Sequence, residues 1–208
     1  MSRTKIQFVY FDLGRVLVHF DHEQMCRQMA EVSGLPVDRV RDVVLHGDML
    51  QLSETGELNA RQYYDEYCRR LKVKPDFDAL KLAGSAIFEV YTQMLPLVTH
   101  LRATGQRMGV LSNTNDAHWE YCVATYRFLT SLFDFAALSF EIGAVKPDAK
   151  IYQAAADMAG VAPDEIFFTD DRADNVEGAR AFGFDAVQFE NPQQLARQLR
   201  ARGLAFNY

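Results

Sequence analysis

Cysteine is scarce in this chain, and its three copies, Cys26, Cys68 and Cys122, are odd in number and far apart. That spacing argues against a disulfide framework and offers no paired thiolates to a zinc ion, so reduced thiols are expected. Clusters of lysine and arginine are missing as well, and the formal net charge is -6. Nucleic acid and anionic membrane both reward a basic patch, so neither is expected as a partner, whereas an acidic excess suits a chain that holds a cation. No apolar run approaches the length that crosses a bilayer. Met1-Ser2-Arg3-Thr4-Lys5 is not followed by a long apolar segment with a small-residue cleavage site, so a cytoplasmic location is expected. Internal repeats and low-complexity tracts are lacking too.

What is present is enough for one domain. The 208 residues, 49% of them hydrophobic, can bury a full core and still carry a modest insertion. The stretch Phe8-Val9-Tyr10-Phe11-Asp12-Leu13-Gly14 organises the rest. A continuous apolar run of this kind suits a strand covered on both faces of a parallel sheet, and such sheets bind ligands beyond the carboxyl ends of their strands. Asp12 stands at that end, where a bare carboxylate is costly unless a metal or hydrogen-bond donors compensate it. Val110-Leu111-Ser112-Asn113-Thr114, Val145-Lys146-Pro147-Asp148 and Ile166-Phe167-Phe168-Thr169-Asp170-Asp171 each bring a polar group to a strand end or the loop beyond it.

Between residues 19 and 92 the texture is helical. Met25, Cys26, Met29 and Val32 recur at helical spacing and predict a helix over Glu23 to Val32, stopped by Gly34 and Pro36. Further helices are expected over Val37 to Leu45, over Ala60 to Leu71 with Asn59 as its N-cap, and from Asp76 to about Tyr91, with His46-Gly47-Asp48 as a turn and Ser53 to Glu57 as a loop. No strand is expected in this block. After Leu95, helices and strands alternate, the pattern of a parallel sheet with crossover helices. Residues 1–18 and 93–208 are therefore expected to form one α/β core, Rossmann-like, with residues 19–92 as an inserted helical cap.

Four motifs in order carry a family resemblance. Phe11-Asp12-Leu13-Gly14, Leu111-Ser112-Asn113, Lys146-Pro147 and Asp170-Asp171 with Asp174-Asn175 resemble the four motifs of the haloacid dehalogenase superfamily, whose members are mostly magnesium-dependent phosphatases. The Asp-x-Gly form, the Asp-Asp-x-x-x-Asn form and the turn Gly56-Glu57-Leu58 are similar to those of sugar-phosphate phosphatases. The resemblance implies a small phosphorylated metabolite as substrate, Mg²⁺ as cofactor and Asp12 as the nucleophile that forms an aspartyl-phosphate. It implies Asp12, Asp171 and the carbonyl of Gly14 as metal ligands, with Asp170 holding Lys146 or a ligand water. Ser112 and the backbone N–H of Asn113 are expected to donate to the phosphoryl oxygens, Lys146 to balance their charge, and Asn175 to orient a water or a backbone group. Acids also start helices, which accounts for Asp174, and Thr114 or Asn115 can double as an N-cap.

The chain departs from the family at one place. Most phosphatases of the superfamily carry a second acid two residues after the nucleophile, which protonates the leaving oxygen and later activates water; here that residue is Gly14. A good leaving group such as an anomeric phosphate needs less protonation. Alternatively, His19 or Asp21 folds back as acid and base, or the protein binds phosphate compounds without turning them over. Arg15 is a candidate clamp for a second anionic group, and His46 and Asp48 are candidates for reading the leaving group. A 2-haloacid dehalogenase of the same superfamily also uses an aspartate and lacks the second acid, but it needs no metal, and the Asp170-Asp171 pair argues against it.

Overall fold

The computed structural model describes residues 5–208; the first four residues of the expected core segment lie outside it. In chain order the elements are β1 (Phe8–Phe11), β2 (Val18–Phe20), α1 (His22–Ser33), α2 (Val37–Val44), α3 (Met49–Glu54), α4 (Ala60–Leu71), α5 (Phe77–Ser85) and β3 (Phe88–Val90). Then come α6 (Leu95–Ala103), β4 (Arg107–Ser112), α7 (Asp116–Thr125), α8 (Phe128–Ser131), β5 (Phe135–Leu138), α9 (Ser139–Ile142) and α10 (Ala149–Ala159). The chain closes with β6 (Ile166–Asp170), α11 (Ala173–Phe182), β7 (Asp185–Gln188) and α12 (Pro192–Ala201). No helix among the described residues is long and apolar enough to cross a membrane.

Five strands form a parallel sheet in the order β5-β4-β1-β6-β7. All four residues of β1 are buried, because consecutive side chains point to opposite faces and both faces are covered. Val9 and Phe11 pack with Leu97, Leu101 and Leu195 from α6 and α12 on one side. Phe8 and Tyr10 pack with Ile151, Tyr152 and Ala179 from α10 and α11 on the other. The Tyr10 hydroxyl donates to the Ala155 carbonyl (2.8 Å), so its polar tip is satisfied inside the second layer. The chain adds β4 and β5 on one side of β1 and then crosses to add β6 and β7 on the other. That reversal opens a crevice at the carboxyl ends of β1, β4 and β6.

Residues 19–92 differ from the expected block of helices in two places. The last helix stops at Ser85, and Phe88–Val90 pairs antiparallel with Val18–Phe20, so a two-stranded ribbon joins α1 to α5 to the rest of the chain. Three-residue strands are too short to show a period of two, and Phe88 is buried where a helical stripe would also bury it. The segment expected to be a loop from Ser53 begins as the end of α3. Asn59 caps α4 as expected, accepting from the N–H groups of Arg61 and Gln62 while the Gln62 side chain reaches back to the Asn59 N–H.

Side chains of α7 tie the helical block down. The Asp116 carboxylate accepts the Ala60 N–H at the start of α4 (2.8 Å). His118 Nε2 lies 3.1 Å from the Gly84 carbonyl in α5, and its Nδ1 lies 3.3 Å from the side-chain amide of Asn115, the N-cap of α7. Nε2–H donates and Nδ1 accepts, so the ring is neutral with both nitrogens used. Burial lowers its pKa to about 4. A base whose pKa is depressed on folding contributes stability that is present above its unfolded value of 6.5 and lost as pH falls through about 4. We expect the His118 imidazole to titrate below pH 5 in a nuclear magnetic resonance titration of the native protein, and stability to fall by about 2–3 kcal/mol from this group between pH 6.5 and 4. A midpoint above 6 would contradict the tie.

Candidate active site

Parallel register carries three strand ends to one level. Phe11 pairs with Val110 of β4 and with Thr169 of β6, so Asp12, Leu111-Ser112 and Asp170 follow side by side. The Asp12 N–H extends the ladder by donating to the Thr169 carbonyl (2.9 Å). From the loop before α10, Lys146 enters this rim with its side chain 1% exposed. Its ammonium donates to Asp12 Oδ1 (2.8 Å), Asp170 Oδ2 (2.6 Å) and the Leu111 carbonyl (2.9 Å), which uses all three of its protons. The Lys146–Pro147 peptide is cis.

Asp170 is fully committed. Besides Lys146 it accepts the Arg172 N–H (2.9 Å) and the side-chain amide of Asn175 on both oxygens (3.1 and 3.0 Å). Asp171 is not: its nearest cation is Arg15, 3.8 Å away and largely exposed. One ligand oxygen each from Asp12, Asp170 and Asp171 can be chosen so that all lie within 4.8 Å of one another. Three carboxylates thus face one buried ammonium. Burial, and then repulsion from Asp170, raises the pKa of Asp171, and burial raises that of Asp12 despite the pull of Lys146. Burial also works against the charge on Lys146, but the attraction of Asp12 and Asp170 outweighs it and holds the ammonium above its ordinary range.

The remaining expected residues divide into those that support this cluster and those engaged elsewhere. Asn113 supports it through its side chain: Oδ1 accepts the Lys146 N–H (2.7 Å) and the amide donates to the Lys146 carbonyl (3.0 Å), clamping that residue's backbone. Ser112 is buried, with its hydroxyl 3.3 Å from the Asn113 carbonyl. Asn175 orients Asp170 directly. Asp21 is engaged elsewhere, as the N-cap of α1 with Arg27 beside it (3.3 Å). His19 sits in the ribbon opposite Glu89 and against the Tyr91 ring, 4.4 Å between centroids. His46 pairs with Asp42 (3.1 Å) and Asp48 with Arg70 (2.6 Å), and no contact among the described residues joins either to the cluster.

Around Gly14 a bulky side chain stands close. A Cβ placed on Gly14 would lie 2.7 Å from Cε1 of Phe20, so the ring fills the room a side chain there would need. Phe20 in turn packs on Phe88 and His22 and lies beneath the Arg15 guanidinium, 5.6 Å from the ring centre. Arg15 itself holds a left-handed backbone (φ 58).

One carboxylate was missed by reading the chain. Glu54 ends α3 in the segment expected to be a loop, half-buried, and the positive charges of Lys146 and Arg172 act on it. Only its neighbour Gly56, a left-handed turn residue (φ 76), hinted that the backbone comes close to something there. A Cβ on Gly56 would sit 2.2 Å from the Phe140 carbonyl oxygen.

Comparison with known proteins identifies the family and the fold. Phosphatase MT3486 of Mycobacterium tuberculosis is 29% identical over 194 residues, which span 91% of this chain and 89% of that protein. The D-ribitol-5-phosphate phosphatase of Bacteroides thetaiotaomicron is 26% identical over 203 residues, 93% of this chain and 97% of its own. A crystal structure of a haloacid dehalogenase family enzyme from Bacteroides thetaiotaomicron, in complex with magnesium and inorganic phosphate, shares the fold. Its TM-score is 0.79 at 24% identity, covering 91% of this chain and 98% of that one. A family model described as haloacid dehalogenase-like hydrolase matches residues 9–183, a span that holds all four strand-end motifs. The chain belongs to the haloacid dehalogenase-like hydrolases.

Proposed function

We propose that the protein is a magnesium-dependent phosphomonoesterase acting on a small phosphorylated metabolite, with residues 19–92 serving as its cap. The observation that carries this reading is the pairing of a buried, lysine-gripped Asp12 with Asp171, whose carboxylate has only the exposed Arg15, 3.8 Å away, as an ion-pair partner among the described residues. Magnesium prefers a few carboxylate oxygens, with water and phosphate supplying the rest. Asp12 and Asp171 fit that donor set, with the Gly14 carbonyl as a third ligand, while Asp170, saturated by Lys146, Arg172 and Asn175, does not need to ligate. An excess of two negative charges over Lys146 is of the size a divalent cation neutralises. Phosphatases among the relatives, one of them acting on ribitol 5-phosphate, support the substrate class.

Bound magnesium would neutralise charge on the phosphoryl oxygens and hold them in line. The chain's own residues do the remaining work. A carboxylate oxygen of Asp12 attacks phosphorus and forms the aspartyl-phosphate, which water then hydrolyses. Lys146 stays between Asp12 and Asp170 and balances charge that spreads over the equatorial oxygens. Ser112 and the Asn113 N–H donate to those oxygens, and Asn113 fixes Lys146 at the same time. Helices above the rim exclude bulk water.

The test is phosphate release from a panel of sugar phosphates, polyol phosphates and p-nitrophenyl phosphate, with magnesium and with excess chelator. Turnover with the metal and none with chelator is the expected result. Halide release from a 2-haloacid in the presence of chelator would overturn it in favour of the dehalogenase alternative. Tight binding of phosphate compounds with no turnover would favour a binding protein.

A further inference from the structure

We infer that Glu54, at the end of α3, is the proton donor and acceptor of the reaction, taking the place of the side-chain acid that position 14 lacks. The inference rests on the phosphatase reading above. Phe20 fills the space at Gly14, so the proton must come from another element. Asp21, His19, His46 and Asp48 are committed to a cap, a ring stack and two ion pairs.

The residues on either side of Glu54 seat its segment against the loops that follow β4 and β5. Ser53 Oγ lies 3.5 Å from the Asn115 amide, just beyond β4. Gly56 rests on the Phe140 carbonyl, and the Thr55 carbonyl lies 4.0 Å from where a Gly143 Cβ would be, in the loop that leads to Lys146. The segment is thus seated between the second and third motifs. The charged groups that act on Glu54 are Lys146, whose ammonium grips Asp12, and Arg172, next to Asp171. Its carboxyl makes no hydrogen bond to any described residue. Burial raises its pKa in spite of both cations, so it retains a proton to higher pH than an ordinary glutamate. His22, two residues after Phe20, is shifted the other way by burial and by Arg15, which disfavours its charged, proton-donating form.

In the first step an oxygen of Asp12 bonds to phosphorus, the bond from phosphorus to the leaving oxygen breaks, and the Glu54 proton passes to that oxygen, releasing an alcohol. In the second, the Glu54 carboxylate takes a proton from water and the water oxygen bonds to phosphorus. The bond to Asp12 then breaks, releasing phosphate and restoring both residues.

Wild type and Glu54→Gln, assayed with magnesium on phenyl phosphate and p-nitrophenyl phosphate, test this. For the variant, kcat on phenyl phosphate is expected to fall roughly 10²- to 10⁴-fold, with KM changed less than about threefold. On p-nitrophenyl phosphate, whose leaving group needs little help, one equivalent of nitrophenolate should appear in a fast burst, followed by slow turnover as the aspartyl-phosphate waits for its base. Loss of less than about tenfold on phenyl phosphate, or equal slowing of both substrates without a burst, would overturn the assignment while leaving the phosphatase reading intact. A wild type inactive on both and on every sugar and polyol phosphate of the panel would overturn the two together.

Discussion

Replacing Asp12 by asparagine is expected to lower magnesium-dependent phosphate release by roughly 10⁴- to 10⁶-fold, the scale seen when a covalent nucleophile is removed from an enzyme. The fold should survive the change. In the metal-free protein the Asp12 pKa lies above its ordinary value, chiefly through burial, so the fold favours the neutral form at this position. An acid shifted in this direction contributes stability that is full below its unfolded pKa and lost as pH rises through the folded one. At pH 8 and without divalent cations, the asparagine variant should therefore unfold at the same temperature as the wild type or a higher one. Turnover retained within tenfold, or a melting temperature lowered by many degrees, would refute this account of Asp12.

Lys146→Met should act on stability and activity together. The ammonium is 1% exposed and bridges two carboxylates that are 10% and 0% exposed. Its removal leaves Asp12 and Asp170 buried face to face, and breaking a buried pair in this way is destabilising by about 3–5 kcal/mol. Loss of one fixed positive charge beside the transferring group should lower kcat by about 10²–10³-fold. Urea unfolding without metal reads the first quantity, and steady-state kinetics on p-nitrophenyl phosphate reads the second. The double variant Lys146→Met with Asp12→Asn should recover part of the stability, because the second carboxylate facing Asp170 is then replaced by a neutral amide. If the double variant is no more stable than Lys146→Met, the two carboxylates are not coupled through the lysine.

Much of this site could be read from the chain because its chemistry is local. A four-residue apolar strand that ends in an acid states both where the sheet is buried and where its rim lies, and the motifs at Ser112, Lys146 and Asp170 repeat that message. Convergence was the part that topology had to supply: nothing in the spacing of Asp12, Lys146 and Asp170 says that one ammonium touches both acids. The helices α1, α2 and α4 carried apolar stripes and caps and were predicted nearly to their ends. The ribbon of β2 and β3 was not, because three residues cannot show a period and its pairing joins positions about 70 apart in sequence. Asp21, His19 and His46 were polar residues near a hinge or a turn, and the structure gives each a partner close by in the chain or ribbon. Glu54 went unnoticed for the opposite reason, since its neighbourhood is made entirely by contacts with distant segments.

Phe20 links two positions that sequence alone keeps apart. Because its ring lies where a side chain at residue 14 would begin, an acid at 14 and a large aromatic at 20 exclude one another unless the ring swings away. The two positions are therefore expected to change together. A mutational library that varies position 14 alone should yield few acidic survivors, whereas one that also offers small residues at position 20 should yield them readily.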